Sequence, residues 1–263
     1  MDLGLHGKVA IVNGSSQGIG LAIARTFAAE GADVVMTARR VERLEEAASA
    51  VRRDTGARVA TVQADTRNAE DCRRIVARAA EAFGGVDILV NNGGAPPLGA
   101  LDKWSDEDWD KAVDRNLKSV IRMTREVVPH MRARGGGRIV NITALSVRQP
   151  IAHFGLSVAT WAGVIGFAKT ASLEYGPDNI TVNTICPGRI ATERLVTVNA
   201  QRAAESGADA AELEAQMRKT VPLGRVGTTD EIASVVVFLC SSKGGYVTGA
   251  TIPVDGGRLG SLF

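Results

Sequence analysis

The chain has 263 residues, 45% apolar and 23% charged, with 31 Lys and Arg against 29 Asp and Glu. This length allows one large domain or two small ones with a full core, and the composition excludes a disordered chain. A net charge of +2 is too balanced for a dedicated nucleic-acid or membrane-surface binder, so neither partner is expected.

Cys72, Cys186 and Cys240 lie far apart with no C-x-x-C pair. Neither a disulfide framework nor a metal site is expected, and the reading is a protein of the reducing cytoplasm. The N-terminal residues have no basic stretch followed by an apolar one, so no signal peptide is expected there. No apolar run is read that approaches the roughly 18 residues of a membrane span.

Short Val- and Ile-rich runs read as strands at 8–13, 33–38, 58–64, 86–91, 138–143, 180–186 and 251–254. They lack polar alternation, as strands buried on both faces do. Helical patterns lie between them at 18–30, 41–54, 69–83, 106–134, 155–175 and 229–241. Alternation of this kind predicts an α/β fold: one Rossmann-type doubly wound parallel sheet of about seven strands, a single domain over residues 1–263. Residues 190–221 read as a helical insertion over the carboxyl ends of the strands, a substrate lid. Its Ile190, Leu195, Val196, Leu213 and Met217 mix with Arg and Glu, which fits a small, partly apolar ligand.

The first strand runs into Asn13-Gly14-Ser15-Ser16-Gln17-Gly18-Ile19-Gly20, with a helix after it. Glycines there allow a tight turn and close backbone approach, and the helix N-terminus offers free N–H groups to a pyrophosphate. A glycine-rich turn can also end a strand for structural reasons alone. At the end of the second strand, an acid would bond the ribose 2′-OH of NAD. The chain instead has Arg39 and Arg40, which can fork onto a 2′-phosphate at about 1.5–3 kcal/mol per charge-assisted bond. NADP(H) is therefore expected over NAD(H); two solvated arginines opening a helix are the plainer alternative.

With these motifs in order, the chain resembles the short-chain dehydrogenase/reductase family, of the β-ketoacyl-carrier-protein reductase type. Residues 14–20 are similar to its T-G-x-x-x-G-I-G, with Asn13 in the Thr place. The resemblance implies that Asp65 contacts adenine. It likens Asn91-Asn92-Gly93-Gly94 to N-N-A-G, with Gly93 in the Ala place, and gives Asn116 the family's helix Asn. Pro187-Gly188-Arg189-Ile190-Ala191-Thr192 is similar to P-G-x-x-x-T, whose Thr faces the nicotinamide carboxamide. The implied cofactor contacts are thus Gly14, Ser15, Ser16, Gln17, Gly18, Ile19, Gly20, Arg39, Arg40, Asp65, Asn92, Gly93, Pro187, Gly188, Ile190 and Thr192. Strand order 3-2-1-4-5-6-7 and a homo-oligomer, tetramer or dimer, are also implied.

The family's chemistry uses an Asn, a Ser and a Tyr-x-x-x-Lys, whose spacing of four puts the last two on one helix face. Only Tyr175 and Tyr246 occur, and neither is followed four residues on by Lys. Flanking motifs place Ala144 at the Ser position, Ser157 at the Tyr position and Trp161 at the Lys position, and only Asn116 is kept. Candidate catalytic residues are therefore Asn116, Ser157, Ser146 and His153. An imidazole titrates near pH 6.5 and could replace an acid, although both Ser146 and His153 also read as ordinary loop residues. Three functions stay open. The first is an NADP(H)-dependent oxidoreductase acting on a carbonyl or alcohol by a non-standard proton route. The second is a non-redox isomerase, cyclase, lyase or hydrolase on the same scaffold. The third is a non-catalytic nucleotide-binding or oligomer-partner protein.

Overall fold

A computed structural model describes residues 2–207 and 209–261. Seven strands form one sheet: β1 (Val9–Val12), β2 (Asp33–Ala38), β3 (Val59–Gln63), β4 (Ile88–Asn91), β5 (Gly137–Ile142), β6 (Ile180–Pro187) and β7 (Thr251–Val254). Every pairing is parallel, in the order β3-β2-β1-β4-β5-β6-β7. β1, β4 and β6 are buried throughout, β2 and β5 at all but one residue each, whereas the edge strands β3 and β7 are partly exposed. This explains the unbroken Val/Ile runs, because helices cover both sheet faces.

Successive strand residues feed two cores. Ala10, Val12, Met36 and Val90 pack beneath α1 (Gly18–Ala29), α2 (Val41–Thr55) and, near the C-terminus, Thr229–Cys240. Ile11, Val35 and Leu89 pack on the other face beneath α3 (Ala69–Phe83) and the helices that follow it. Each fully buried Ile, Leu or Phe contributes about 1.5–3 kcal/mol.

The helix expected over 106–134 is two helices. α4 (Asp106–Val113) and α5 (Ser119–Ala133) are separated by a π-helical turn, Asp114–Lys118, that carries Asn116. One extra residue in a turn leaves the apolar spacing almost unchanged, so the sequence pattern conceals it; such turns gather at functional sites.

α6 (Gly155–Tyr175) corrects the membrane reading. The segment Gly155–Asp178 is long and apolar enough to cross a bilayer, with a mean hydropathy of 1.2. Its apolar residues are interrupted by Ala, Gly, Ser and Thr, which hides the run from inspection. Leu156, Trp161, Val164, Ala168 and Ala171 are buried, as in a helix packed inside a globular fold.

After β6 the chain forms α7 (Glu193–Ser206) and α8 (Ala210–Lys219), then α9 (Thr229–Cys240). The neck of this excursion is closed by Ala191 N–H donating to the Gly227 carbonyl (2.9 Å) and Gly227 N–H donating to the Arg189 carbonyl (2.9 Å). The side chain of Leu213, expected to shape the pocket, lies outside those described.

A row of buried polar side chains crosses the carboxyl ends of the strands. Thr37 Oγ1 donates to Asn13 Oδ1 (3.1 Å), Asn13 Nδ2 to Asn91 Oδ1 (3.2 Å), and Asn91 Nδ2 to Asn141 Oδ1 (3.0 Å). Asn141 is paired in register with Thr184 on β6, and Asn141 Nδ2 and Thr184 Oγ1 have no partner among the described residues.

Candidate functional site

Above this row lies a cleft of about 1100 Å³ at the carboxyl ends of the strands, where open α/β sheets bind ligands. Its first wall is the turn after β1. Gly14 has φ +62°, and a Cβ there would lie 2.6 Å from the Asn92 carbonyl oxygen. Asn92 Nδ2 in turn holds the turn by donating to the carbonyls of Asn13 and Gly14, both at 3.2 Å. No side chain caps α1 and no acid sits in its first turn. Gly18 and Ile19, which open the helix, line the cleft, so the positive end of α1 faces it uncommitted.

At one end of the cleft are Arg39, Arg40, Asp65 and Arg67. Arg39 is exposed and has no side-chain partner among the described residues. Arg40 instead donates to Gln17 Oε1 at 2.9 Å, and Arg43 bridges Gln17 to Glu193 of α7, the latter at 3.3 Å. The Asp65 carboxylate is forked by the Arg67 guanidinium, whose hydrogen bond holds it below the usual carboxylate range.

At the other end, the expected catalytic positions form a largely apolar wall. Trp161 is buried with Val120 and Val164, and Ala144, Leu117, Val147 and Phe167 pack against that group. A methyl at position 144 thus lies against the cluster that holds the indole. Ser157 lines the cleft, and its hydroxyl has no partner among the described residues. Ser146 also lines it, 3% exposed, with an unpartnered hydroxyl among the described residues. Asn116 is fully buried, and its Nδ2 donates to Thr160 Oγ1 at 2.8 Å, between the Ser157 and Trp161 positions on α6.

Most of the sequence candidates meet in this one cleft: Gly14, residues 16–19, Arg39, Arg40, Asp65, Asn92, Gly93, Ser146, Ser157, Pro187, Gly188, Ile190 and Thr192. Others do not. The Ser15 hydroxyl is buried and accepts the Thr37 N–H at 3.0 Å, tying the turn to β2. Gly20 stands behind the turn, where a Cβ would lie 2.3 Å from the Gly14 carbonyl oxygen. His153 is exposed and outside the cleft lining. It serves through its backbone, its carbonyl accepting the Gly99 N–H at 3.0 Å. Thr192 spends its hydroxyl as the cap of α7, accepting from the Leu195 N–H at 3.3 Å.

Besides Arg67 and the motif's Arg189, three further arginines that were not sequence candidates line the cleft: Arg115, Arg194 and Arg258. Arg115 donates to the Ala95 carbonyl (3.3 Å) and Arg194 to the Pro96 carbonyl (3.2 Å). Both have pKa values pushed down by burial, and Arg115 further by the charges of Arg67, Arg39 and Arg194. Isolated arginines in amphipathic stretches read as a solvated face. The available signal was Arg194 in the first turn of a helix capped by Thr192, where a cation opposes the helix dipole.

The α1 side of the cleft fits a dinucleotide: a cradle that a Cβ at Gly14 would fill, an uncapped helix start, and an unpartnered arginine at the end of β2. A family model described as enoyl-(acyl carrier protein) reductase matches residues 14–258. Dehydrogenase/reductase SDR family member 4 of Pongo abelii is 36% identical over 256 residues, covering 96% of this chain and 88% of that protein. Nodulation protein G of Rhizobium sp. (strain N33) is 40% identical over 255 residues, covering 96% of this chain and 97% of that protein. Among solved structures, L-sorbose reductase from Gluconobacter frateurii complexed with NADPH and L-sorbose superposes with a TM-score of 0.95 at 38% identity, covering 100% of both chains.

Proposed function

The chain belongs to the short-chain dehydrogenase/reductase family, and from that premise we propose that it is an NADP(H)-binding oxidoreductase acting on a carbonyl or alcohol of a small, partly apolar molecule by a non-standard proton route. One observation carries the reading: the cleft retains its glycine cradle and a free Arg39, while Ala144, Ser157 and Trp161 line its other end. An NADPH-bound reductase among the similar structures supports the cofactor.

When bound, the cofactor supplies a hydride. Gly14 and the start of α1 would hold its pyrophosphate, Arg39 its 2′-phosphate, and residues 187–192 its nicotinamide. Ser157 is the cleft hydroxyl that would hydrogen-bond a carbonyl oxygen, the Ser146 hydroxyl lying buried in the same wall, and water would supply the proton that a phenol would otherwise give. Asn116 is a positioning residue, acting on the Ser157 turn of α6 through Thr160. A serine hydroxyl is a poor acid at neutral pH, so turnover is slower by about 10²–10⁴ than with a positioned proton donor. The α7–α8 segment serves as the lid. A homo-oligomer belongs to the same reading, supported by exposed Leu173, Phe238 and Tyr246, as does a cytoplasmic location, supported by three buried free cysteines.

The packing of Trp161 beside Ala144 favours a second reading, a nucleotide-binding member that does not turn over. Calorimetric titration followed by single-turnover oxidation of bound NADPH separates the two. Arg39→Ala is expected to weaken NADPH by about 10–100-fold, the value of one or two charge-assisted bonds, and to leave NADH within about twofold. Absence of binding by either dinucleotide at millimolar concentration would reject both readings.

A further inference from the structure

Among the described residues only two carboxylates line the cleft, and both are engaged: Asp65 by Arg67 and Glu193 by Arg43. Among the described residues neither Arg194 nor Arg258 has a carboxylate partner, whereas Arg189, which also lines the cleft, is buried and donates to Asn199 Oδ1 at 2.9 Å. Arg194 is exposed at the cleft wall and lies in the first turn of α7, where the helix dipole disfavours a cation, and its charge in turn helps lower the pKa of Arg115. Among the described residues its side chain donates only to the neutral Pro96 carbonyl. A guanidinium does not escape such a site by losing its proton.

Arg258 approaches from the C-terminal tail. Leu223 N–H donates to the Gly256 carbonyl (3.2 Å), and a Cβ on Gly256 would lie 2.7 Å from Val221, so the tail is seated against the chain leaving α8. The Asp255 carboxylate accepts the N–H groups of Gly257 (2.9 Å) and Leu259 (2.7 Å), and it is not paired with Arg258. Arg258 is half-buried, lines the cleft and has no side-chain partner among the described residues. Around these two cations the wall is apolar: Ile151, Phe154, Leu195 and Val198.

We propose that this end of the cleft selects an amphipathic monoanion, its carboxylate held by Arg194 with Arg258 as the second cation, its apolar body against Phe154, Leu195 and Val198. This inference rests on the proposed function in taking the α7–α8 end as the substrate end. It adds a charge requirement that the family chemistry does not contain, and it makes Arg194 the specificity-determining residue.

The test compares two probes of one shape, 4-phenylbutyrate and 4-phenylbutanamide, by calorimetry on the full chain, with and without saturating NADP⁺. The carboxylate is expected to bind at least about tenfold tighter than the amide, as a charge-assisted bond provides. Arg194→Gln is expected to bring that ratio below about two, Arg194→Lys to keep it above about three, and Arg258→Gln to at least halve it. Equal binding of the two probes overturns the inference, as does full preference in Arg194→Gln. Displacement of 4-phenylbutyrate by NADP⁺ also overturns it, since the anion would then occupy the phosphate cradle. A separate NADPH titration keeps the two claims apart. A carboxylate preference that depends on Arg194, without NADPH binding, rejects the cofactor reading and supports the anion site. NADPH binding without that preference does the reverse.

Discussion

A triple variant carrying Ala144→Ser, Ser157→Tyr and Trp161→Lys reduces a carbonyl substrate with NADPH about 10²–10⁴-fold faster than the parent chain, the value of a positioned proton donor, or about 3–5.5 kcal/mol of barrier. The three changes are needed together. Ser157→Tyr alone introduces a phenol that loses its proton only near pH 10, about three units above neutrality. A lysine one turn further along the same helix face supplies the charge that lowers that value. The Lys position is now filled by an indole packed with Val120 and Val164, and Ala144 lies against that cluster. Removing the indole costs about 3–5 kcal/mol in the limit of an alanine, and a lysine stem recovers part of the packing. A thermal melt therefore accompanies the rate measurement. A variant that folds and binds NADPH, yet reduces none of a panel of aliphatic and aryl ketones and aldehydes, would reject the view that the missing groups limit the rate.

Gly20→Ala destabilises the chain by about 3 kcal/mol in urea unfolding, at the upper end of overpacking, and weakens NADPH at least tenfold. The added Cβ would lie 2.3 Å from the Gly14 carbonyl oxygen and 2.7 Å from Asn92 Nδ2. The nearer obstacle is backbone, so no rotamer change relieves it. Movement of Gly14 would also disturb the two bonds by which Asn92 holds the turn. Gly93→Ala provides the contrast. Nothing lies within 4 Å of its added Cβ, and its stability is expected to stay within about 0.5 kcal/mol of the parent. Equal stability of the two variants would show that the turn yields where the structure has it tight.

β2 was legible because a parallel strand covered on both faces leaves little room for polar residues, so 33–38 coincides with it; 251–254 coincides with the edge strand β7, which is only partly covered, through its apolar residues alone. The order of the sheet was not in those patterns; it came with the resemblance. The π-helical turn at Asp114–Lys118 stayed hidden because it adds one residue to an otherwise continuous amphipathic stretch. At the site, Gly14 was legible because a left-handed backbone and a close carbonyl leave no room for a side chain. Ser15 and Gly20 belong to the same motif but shape the turn from behind it, a difference that only three-dimensional placement reveals. His153 was a candidate for its chemistry, and the fold turns it to solvent. Arg115, Arg194 and Arg258 were overlooked because their place in the cleft wall, not their residue type, sets them apart.

The polar row beneath the cleft has a direction. From Thr37 through Asn13 and Asn91 to Asn141, every bond is donated the same way. Three amide dipoles are thus aligned head to tail across the strands, and each polarises the next. The arrangement is a short macrodipole lying transverse to the sheet. Its positive pole is the unpaired Asn141 amide, three residues before Ala144 in the chain. The β5–β6 boundary beneath the cleft floor therefore carries a fixed partial positive charge, buried and already oriented.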